Sequence, residues 1–227
     1  MDAATTEQIR ARHDALLSRL RGAAEAHGHD PGRLRIVGVT KTHPVEVARA
    51  AVEAGITLLG ENRIQEAEPK VAALPEVEWH LVGRLQSNKA RRAARAFAVI
   101  HSVDSQALLD RLDAVAAEEE RALRLLLQVN VSGEATKAGM APELIESMRP
   151  PEHASLVGLM TIAPMGAGTD AARAVFGRLR QLRDQLEQRI GMALPELSMG
   201  MSADAEAAAA EGATLVRIGT ALFGPRA

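Results

Sequence analysis

Apolar side chains recur at helical spacing between residues 4 and 27 (Ile9, Leu16, Leu17, Leu20, Ala24), and the stretch ends at Gly28 and Asp30-Pro31-Gly32. A helix is predicted there. The period then changes. Leu34–Val39 is a short apolar run rich in β-branched residues, which reads as a buried strand, and Pro44 opens the next helix in its first turn. Further strand-like runs lie at Thr57–Leu59, Glu78–Val82, Ala98–Val103, Leu123–Val131, Ser155–Met160, Glu196–Met199 and Thr214–Ile218. Helical stretches separate them, such as 105–120 and 170–190. In the latter Val175, Leu179, Leu182, Leu186 and Ile190 form one stripe.

Strands alternating with helices predict parallel βαβ units. Eight such units fit an α/β fold of the compact (β/α)8 type, preceded by an N-terminal helix, better than an open doubly wound sheet. No linker or low-complexity tract divides the chain, so residues 1–227 are expected to form one domain. Only Trp79, Phe97, Phe176 and Phe223 are aromatic, so the core is aliphatic, as suits helices packed on a parallel sheet.

Charge and composition remove several classes of function. The net charge of −2 gives no basic field for nucleic acid. The run Lys89-Ala90-Arg91-Arg92 reads as a solvated helix face. The chain has no Cys, which excludes disulfides, thiolate metal sites and cysteine nucleophiles. No segment has the length and apolarity of a membrane span, and the first residues lack the apolar core of a secretory signal. A cytoplasmic protein with no membrane partner is expected. Among seven histidines no pair has metal-ligand spacing beside acidic partners, and His27 and His29 read as exposed loop residues.

In a barrel the active face lies at the C-terminal ends of the strands. That rule selects Lys41 after the first run, Glu61-Asn62 after the second, Gly83 and Gln86–Lys89 after the third, Met160 at the end of the sixth, and the Ser198–Ser202 and Arg217–Thr220 segments after the seventh and eighth. A lysine directly after a buried strand is poorly solvated, which frees its amine as a nucleophile and suits it to Schiff-base chemistry; the plain alternative is a lysine snorkelling from the rim. The loops after strands seven and eight often bind phosphate in barrels. Gly200 and Ser202 in one, with Gly219 and Thr220 in the other, offer small residues, hydroxyls and backbone amides for an anion. Ser202 and Thr220 could equally serve as helix caps. Arg217 is expected to point into the barrel mouth and to require an acceptor, either a carboxylate such as Glu61 or a ligand atom. His80 lies on the third strand, as a satisfied interior histidine or a ligand contact.

These motifs carry a resemblance. Ile36-Val37-Gly38-Val39-Thr40-Lys41-Thr42-His43-Pro44, Gly60-Glu61-Asn62, Trp79-His80-Leu81-Val82-Gly83, Gln86-Ser87-Asn88-Lys89, Gly158-Leu159-Met160, Ser198-Met199-Gly200-Met201-Ser202 and Arg217-Ile218-Gly219-Thr220 resemble the pyridoxal phosphate homeostasis protein family across residues 34–224. That family is similar to the N-terminal barrel of bacterial alanine racemase and eukaryotic ornithine decarboxylase. The resemblance implies that Lys41 holds pyridoxal 5′-phosphate (PLP) as a Schiff base. It also implies that Ser202, Gly219 and Thr220 bind the phosphate and that Arg217 faces the pyridine nitrogen. Asn62 lies near the ring, Met199, Gly200 and Met201 form the loop beside the phosphate, and His80 and Met160 line the same cavity. Two positions depart from the family pattern, Thr40 where Ser is expected and Arg84 where Pro is expected.

The family implies a non-catalytic PLP carrier in intracellular PLP homeostasis, exchanging with apo PLP-dependent enzymes; the alternative is an amino-acid racemase of the alanine racemase type. Racemisation needs a base on each face of the substrate α-carbon, and alanine racemases take the second from a tyrosine of a further β-domain. The chain has no tyrosine and ends just after the eighth strand. A monomeric carrier without significant catalysis is therefore expected.

Overall fold

In a computed structural model, residues 4–134, 138–166 and 168–224 are described. The polypeptide alternates β1 (Arg35–Val39), α2 (Val45–Glu53), β2 (Leu58–Glu61), α3 (Ile64–Ala73), β3 (Glu78–Leu81), α4 (Ala90–Ala96), β4 (Val99–Val103), α5 (Gln106–Glu118) and β5 (Arg124–Gln128). It continues with β6 (Ser155–Met160), α6 (Thr169–Ile190), β7 (Glu196–Ser198), α7 (Ala205–Ala210), β8 (Leu215–Ile218) and α8 (Thr220–Phe223), and α1 (Thr6–Ala26) precedes them all. The eight strands are parallel and close in sequence order, β8 pairing back to β1 through Arg35 and Leu215. The expected (β/α)8 barrel with an N-terminal helix is what forms.

Local chemistry fixes the boundaries. Thr5 and Gln8 make a reciprocal capping box that starts α1, satisfying two amides that the first turn leaves without partners. Pro44 sits one residue earlier than expected, as the N-cap of α2. The fifth strand ends at Gln128 rather than Val131, because Asn130 N–H turns away to the Met140 carbonyl. Among the described residues, the connection from β5 to β6 carries a 3-10 turn (Pro142–Ser147) where the other connections carry an α-helix. Lys89–Arg92 leads into α4 as a solvated face, with Arg92 on Glu68 at 2.7 Å and Arg91 on Glu118 and Glu119.

Strand alternation divides the side chains between two cores. Outward positions such as Ile36, Leu59, Leu81, Ile100, Leu125, Leu197 and Val216 meet the helices. Inward, Val37, Val99, Leu126, Met160 and Leu215 form a second cluster inside the barrel. Below it, the first residues of β1, β3, β5 and β7 pair across the interior: Arg35 with Glu196, and Arg124 with Glu78 at 2.6 Å. Ion pairs thus lie across the N-terminal end of the barrel, away from the end where its loops gather.

Candidate functional site

Lys41 lies two residues beyond the end of β1 and is half-buried. It occupies a turn closed by the His43 amide on the Thr40 carbonyl at 3.1 Å. Thr42 in that turn has φ 65°, a left-handed conformation that a β-branched residue adopts only under constraint. The His43 ring then meets Phe223 of α8 edge-on at 5.7 Å, which ties the lysine loop to the loop after β8.

Behind this turn lies a buried ion pair. Lys70 Nζ donates to the Thr40 carbonyl at 2.8 Å and to Glu61 Oε1 at 2.6 Å, and Thr40 Oγ1 donates to the same carboxylate oxygen at 2.6 Å. Glu61 has no solvent exposure, its Oε2 has no hydrogen-bond partner among the described residues, and burial pushes its carboxyl above the ordinary value despite those donors. Of the two acceptors open to Arg217 from the sequence, a carboxylate such as Glu61 is not the one it meets, because Glu61 points outward from β2 toward α3, where Lys70 engages it. Lys70 belongs to the stripe Ile64, Ala67, Lys70 that α3 turns to the barrel. A lysine in an otherwise apolar stripe was the available sequence signal for this partner.

Arg217 instead lies inside the barrel. Its Nη1 donates to Ser198 Oγ at 2.6 Å and its Nη2 to the Thr161 carbonyl at 2.9 Å. Burial brings the guanidinium down to about 10, so it still carries its charge at neutral pH. Ser198 Oγ lies 2.7 Å from His101 Nδ1, His101 Nε2 lies 2.8 Å from His80 Nδ1, and His80 Nε2 lies 3.0 Å from Glu78 Oε1. Both ring nitrogens of His80 are therefore engaged by protein groups, as befits an interior histidine. The sequence signal for His101 went unused, although a histidine two positions after the inward Val99 faces the interior by parity, and Ser198 was reached only as the start of the segment after the seventh strand.

The loop after β7 is tied to β8 where Arg217 N–H donates to the Gly200 carbonyl at 3.0 Å. Gly200 has φ +88°, and a Cβ there would stand 2.5 Å from Ala208 Cβ, so only glycine lets this loop lie against α7. The amides of Ser202 and Ala203 in one loop, and of Gly219, Thr220 and Ala221 in the other, donate to no acceptor among the described residues. The Ser202 and Thr220 side chains stand exposed beside them. Met201 N–H is taken by Asp204 Oδ1 at 2.6 Å. The Met199 side chain packs in the outer core, so only its backbone belongs to this loop, and Met160 is buried inside the barrel.

Asn62 is half-buried after β2, and its backbone approaches so closely that a Cβ on Gly83 would stand 2.2 Å from its carbonyl oxygen. Asn62 also borders a cavity of about 600 Å³ beside the mouth, shared with Arg84, Ser87 and Lys89. Arg84 is exposed there, 4.0 Å from Asp104. Among the described residues no group of His, Asp and Glu could hold a metal ion, and no helix is long and apolar enough to cross a membrane.

Comparison with known proteins gives the chain a family. The family model of the alanine racemase N-terminal domain matches residues 12–227. The pyridoxal phosphate homeostasis protein of Aquifex aeolicus is 41% identical over 95% of this chain and 97% of its own, and that of Pseudomonas aeruginosa is 46% identical over 92% of each. The structure of PipY from Synechococcus elongatus with PLP bound superposes with a TM-score of 0.80 at 40% identity, covering 92% of this chain and all of that one. Alanine racemase of Clostridium difficile shares the fold alone, with a TM-score of 0.70 at 15% identity, and this chain covers 58% of its length. The chain belongs to the family of pyridoxal phosphate homeostasis proteins, within the wider group defined by the alanine racemase N-terminal domain.

Proposed function

We propose that this protein binds PLP as a Schiff base on Lys41 and serves PLP homeostasis as a carrier without significant catalysis. The observation that carries the reading is the set of groups gathered at one end of the barrel: a half-buried lysine on a strained turn, an interior arginine, and five backbone amides in the loops after β7 and β8 that have no acceptor among the described residues. These groups suit an amine-reactive aldehyde, a ring nitrogen and a phosphate in turn. The PLP-bound relative PipY, similar over nearly the whole chain, supports the same assignment.

When bound, PLP supplies a carbonyl that condenses with amines and a ring that can accept electrons. Lys41 attaches it; Ser202, Gly200, Gly219 and Thr220 hold the phosphate, with Met199 and Met201 in the adjoining backbone. Asn62 and Met160 border the ring, and His80 acts on it only through its interior neighbours. Arg217 is a donor with no lone pair to offer. By donating to the pyridine nitrogen it discourages protonation there, which makes the ring a weak electron sink. Racemisation would also need a second base, and the chain has no tyrosine to supply one in the manner of alanine racemases. In this reading the barrel and α1 act as one domain, a cytoplasmic monomer whose recipients are apo PLP-dependent enzymes.

The test is to load the protein with PLP, add L-alanine and follow D-alanine by chiral chromatography, while measuring reactivation of an apo PLP enzyme. Transfer of cofactor with no sustained racemisation is expected. Turnover near ordinary enzyme rates, roughly 1–10³ per second, would contradict the carrier assignment.

A further inference from the structure

We propose that Ser198, His101 and His80 are positioning residues, forming a one-way hydrogen-bonded chain across the barrel interior that anchors the Arg217 guanidinium and ends on Glu78. The effect on bound cofactor rests on the PLP reading above; the chain itself stands on the protein's own geometry.

The direction of every hydrogen bond follows from its ends. Glu78 can only accept while ionised, and hydrogen bonding from His80 and Arg124 holds its carboxyl down to about 2. His80 Nε2, at 3.0 Å, therefore carries a proton. Burial favours the neutral ring, which leaves His80 Nδ1 as an acceptor. His101 Nε2 then donates across 2.8 Å, and His101, also driven neutral by burial, presents Nδ1 as an acceptor. The Ser198 hydroxyl donates to that nitrogen at 2.7 Å, and its oxygen accepts from Arg217 at 2.6 Å.

The alternative order fails on counting. A cationic His80 would donate at both nitrogens, so His101 would donate from Nδ1 to Ser198 Oγ. That oxygen would then accept from both His101 and Arg217, with its own proton left without a partner in a fully buried site. Such a group costs free energy, and so does a second buried cation near Arg124 and Arg217. Only the neutral order matches each donor with one acceptor.

This chain determines how Arg217 sits. The Ser198 hydroxyl is committed to His101, so its lone pairs face the guanidinium, while the Thr161 carbonyl holds the other terminal nitrogen at 2.9 Å. Two anchors, one at the end of β7 and one just beyond β6, fix the guanidinium plane and direct its remaining N–H groups. Without His101 as acceptor, the hydroxyl turns freely and the anchor weakens.

Two measurements test the proposal. On the protein without cofactor, long-range nitrogen–proton NMR should show both buried rings neutral, with the proton on Nε2. A proton on Nδ1 of either ring overturns the chain. In the PLP-loaded protein, Ser198→Ala and His101→Phe should shift the absorbance maximum of the lysine-bound cofactor and raise the PLP dissociation constant about five- to tenfold. His101→Asn, whose side-chain oxygen can still accept from Ser198, should lie closer to wild type. Wild-type spectra and affinity in all three variants would overturn the positioning role. Failure of the wild-type protein to bind PLP would instead refute the proposed function, and the NMR result would still decide the chain.

Discussion

Lys70 Nζ donates to the carbonyl oxygen of Thr40, the residue immediately before Lys41, at 2.8 Å. The same ammonium neutralises Glu61, which is wholly buried. A single cation therefore anchors the backbone behind the attachment lysine and compensates a carboxylate that burial disfavours. Lys70→Met should destabilise the fold by about 3–5 kcal/mol at neutral pH, because it strands a buried charge. Its sign with pH is fixed. The folded-state value of Glu61 is raised, so protonation favours the folded form and the penalty grows as pH rises through that value. Urea unfolding should show the deficit shrinking in acid, and Lys70→Met/Glu61→Gln should recover most of it at neutral pH. An equal deficit at all pH values would contradict the pairing.

Acid should weaken the barrel from inside. His80 and His101 are held below their ordinary 6.5, and Glu78 is held at about 2. All three shifts are depressions, so the stability they contribute is present above the unfolded values and lost as pH falls through the folded ones. Losses should begin below the ordinary histidine value and continue through the carboxylate range. Denaturation midpoints followed with pH should fall more steeply for wild type than for His80→Gln, which has no ring to charge.

Gly200→Ala tests the loop after β7. The new Cβ would meet Ala208 at 2.5 Å from a backbone with φ +88°. Destabilisation of about 1–3 kcal/mol is expected, with weaker PLP binding because the amides beyond it move. A variant as stable and as tight-binding as wild type would show that the loop has room to spare.

The two exposed hydroxyls should discriminate PLP from pyridoxal, which lacks the phosphate. Ser202→Ala and Thr220→Val should each cost about 1 kcal/mol, roughly fivefold in affinity for PLP, and leave pyridoxal unchanged. Equal losses for both ligands would move the phosphate elsewhere.

The barrel was legible because strand and helix periods alternate without interruption, and each of the eight apolar runs became a strand with its ends shifted by a residue or a few. The C-terminal-face rule likewise put Lys41, Gly200, Ser202, Arg217, Gly219 and Thr220 at the loop end of the barrel, which is where they lie. Side-chain pairings were not legible, for a physical reason. Whether Arg217 meets Glu61 or Ser198 depends on which side of its strand each residue faces and on what stands across the barrel. His101 and Ser198 are 97 positions apart in the chain. Thr42 in the left-handed region was equally hidden, since nothing local asks a threonine to adopt it.

The attachment of PLP to Lys41 is best tested by borohydride reduction of the PLP-treated protein followed by peptide mapping, in wild type and in Lys41→Ala. The expected result is one reduced adduct per chain, on Lys41, with the visible Schiff-base absorbance absent from the variant. A Lys41→Ala protein that keeps a reducible adduct at the same stoichiometry would contradict the assignment.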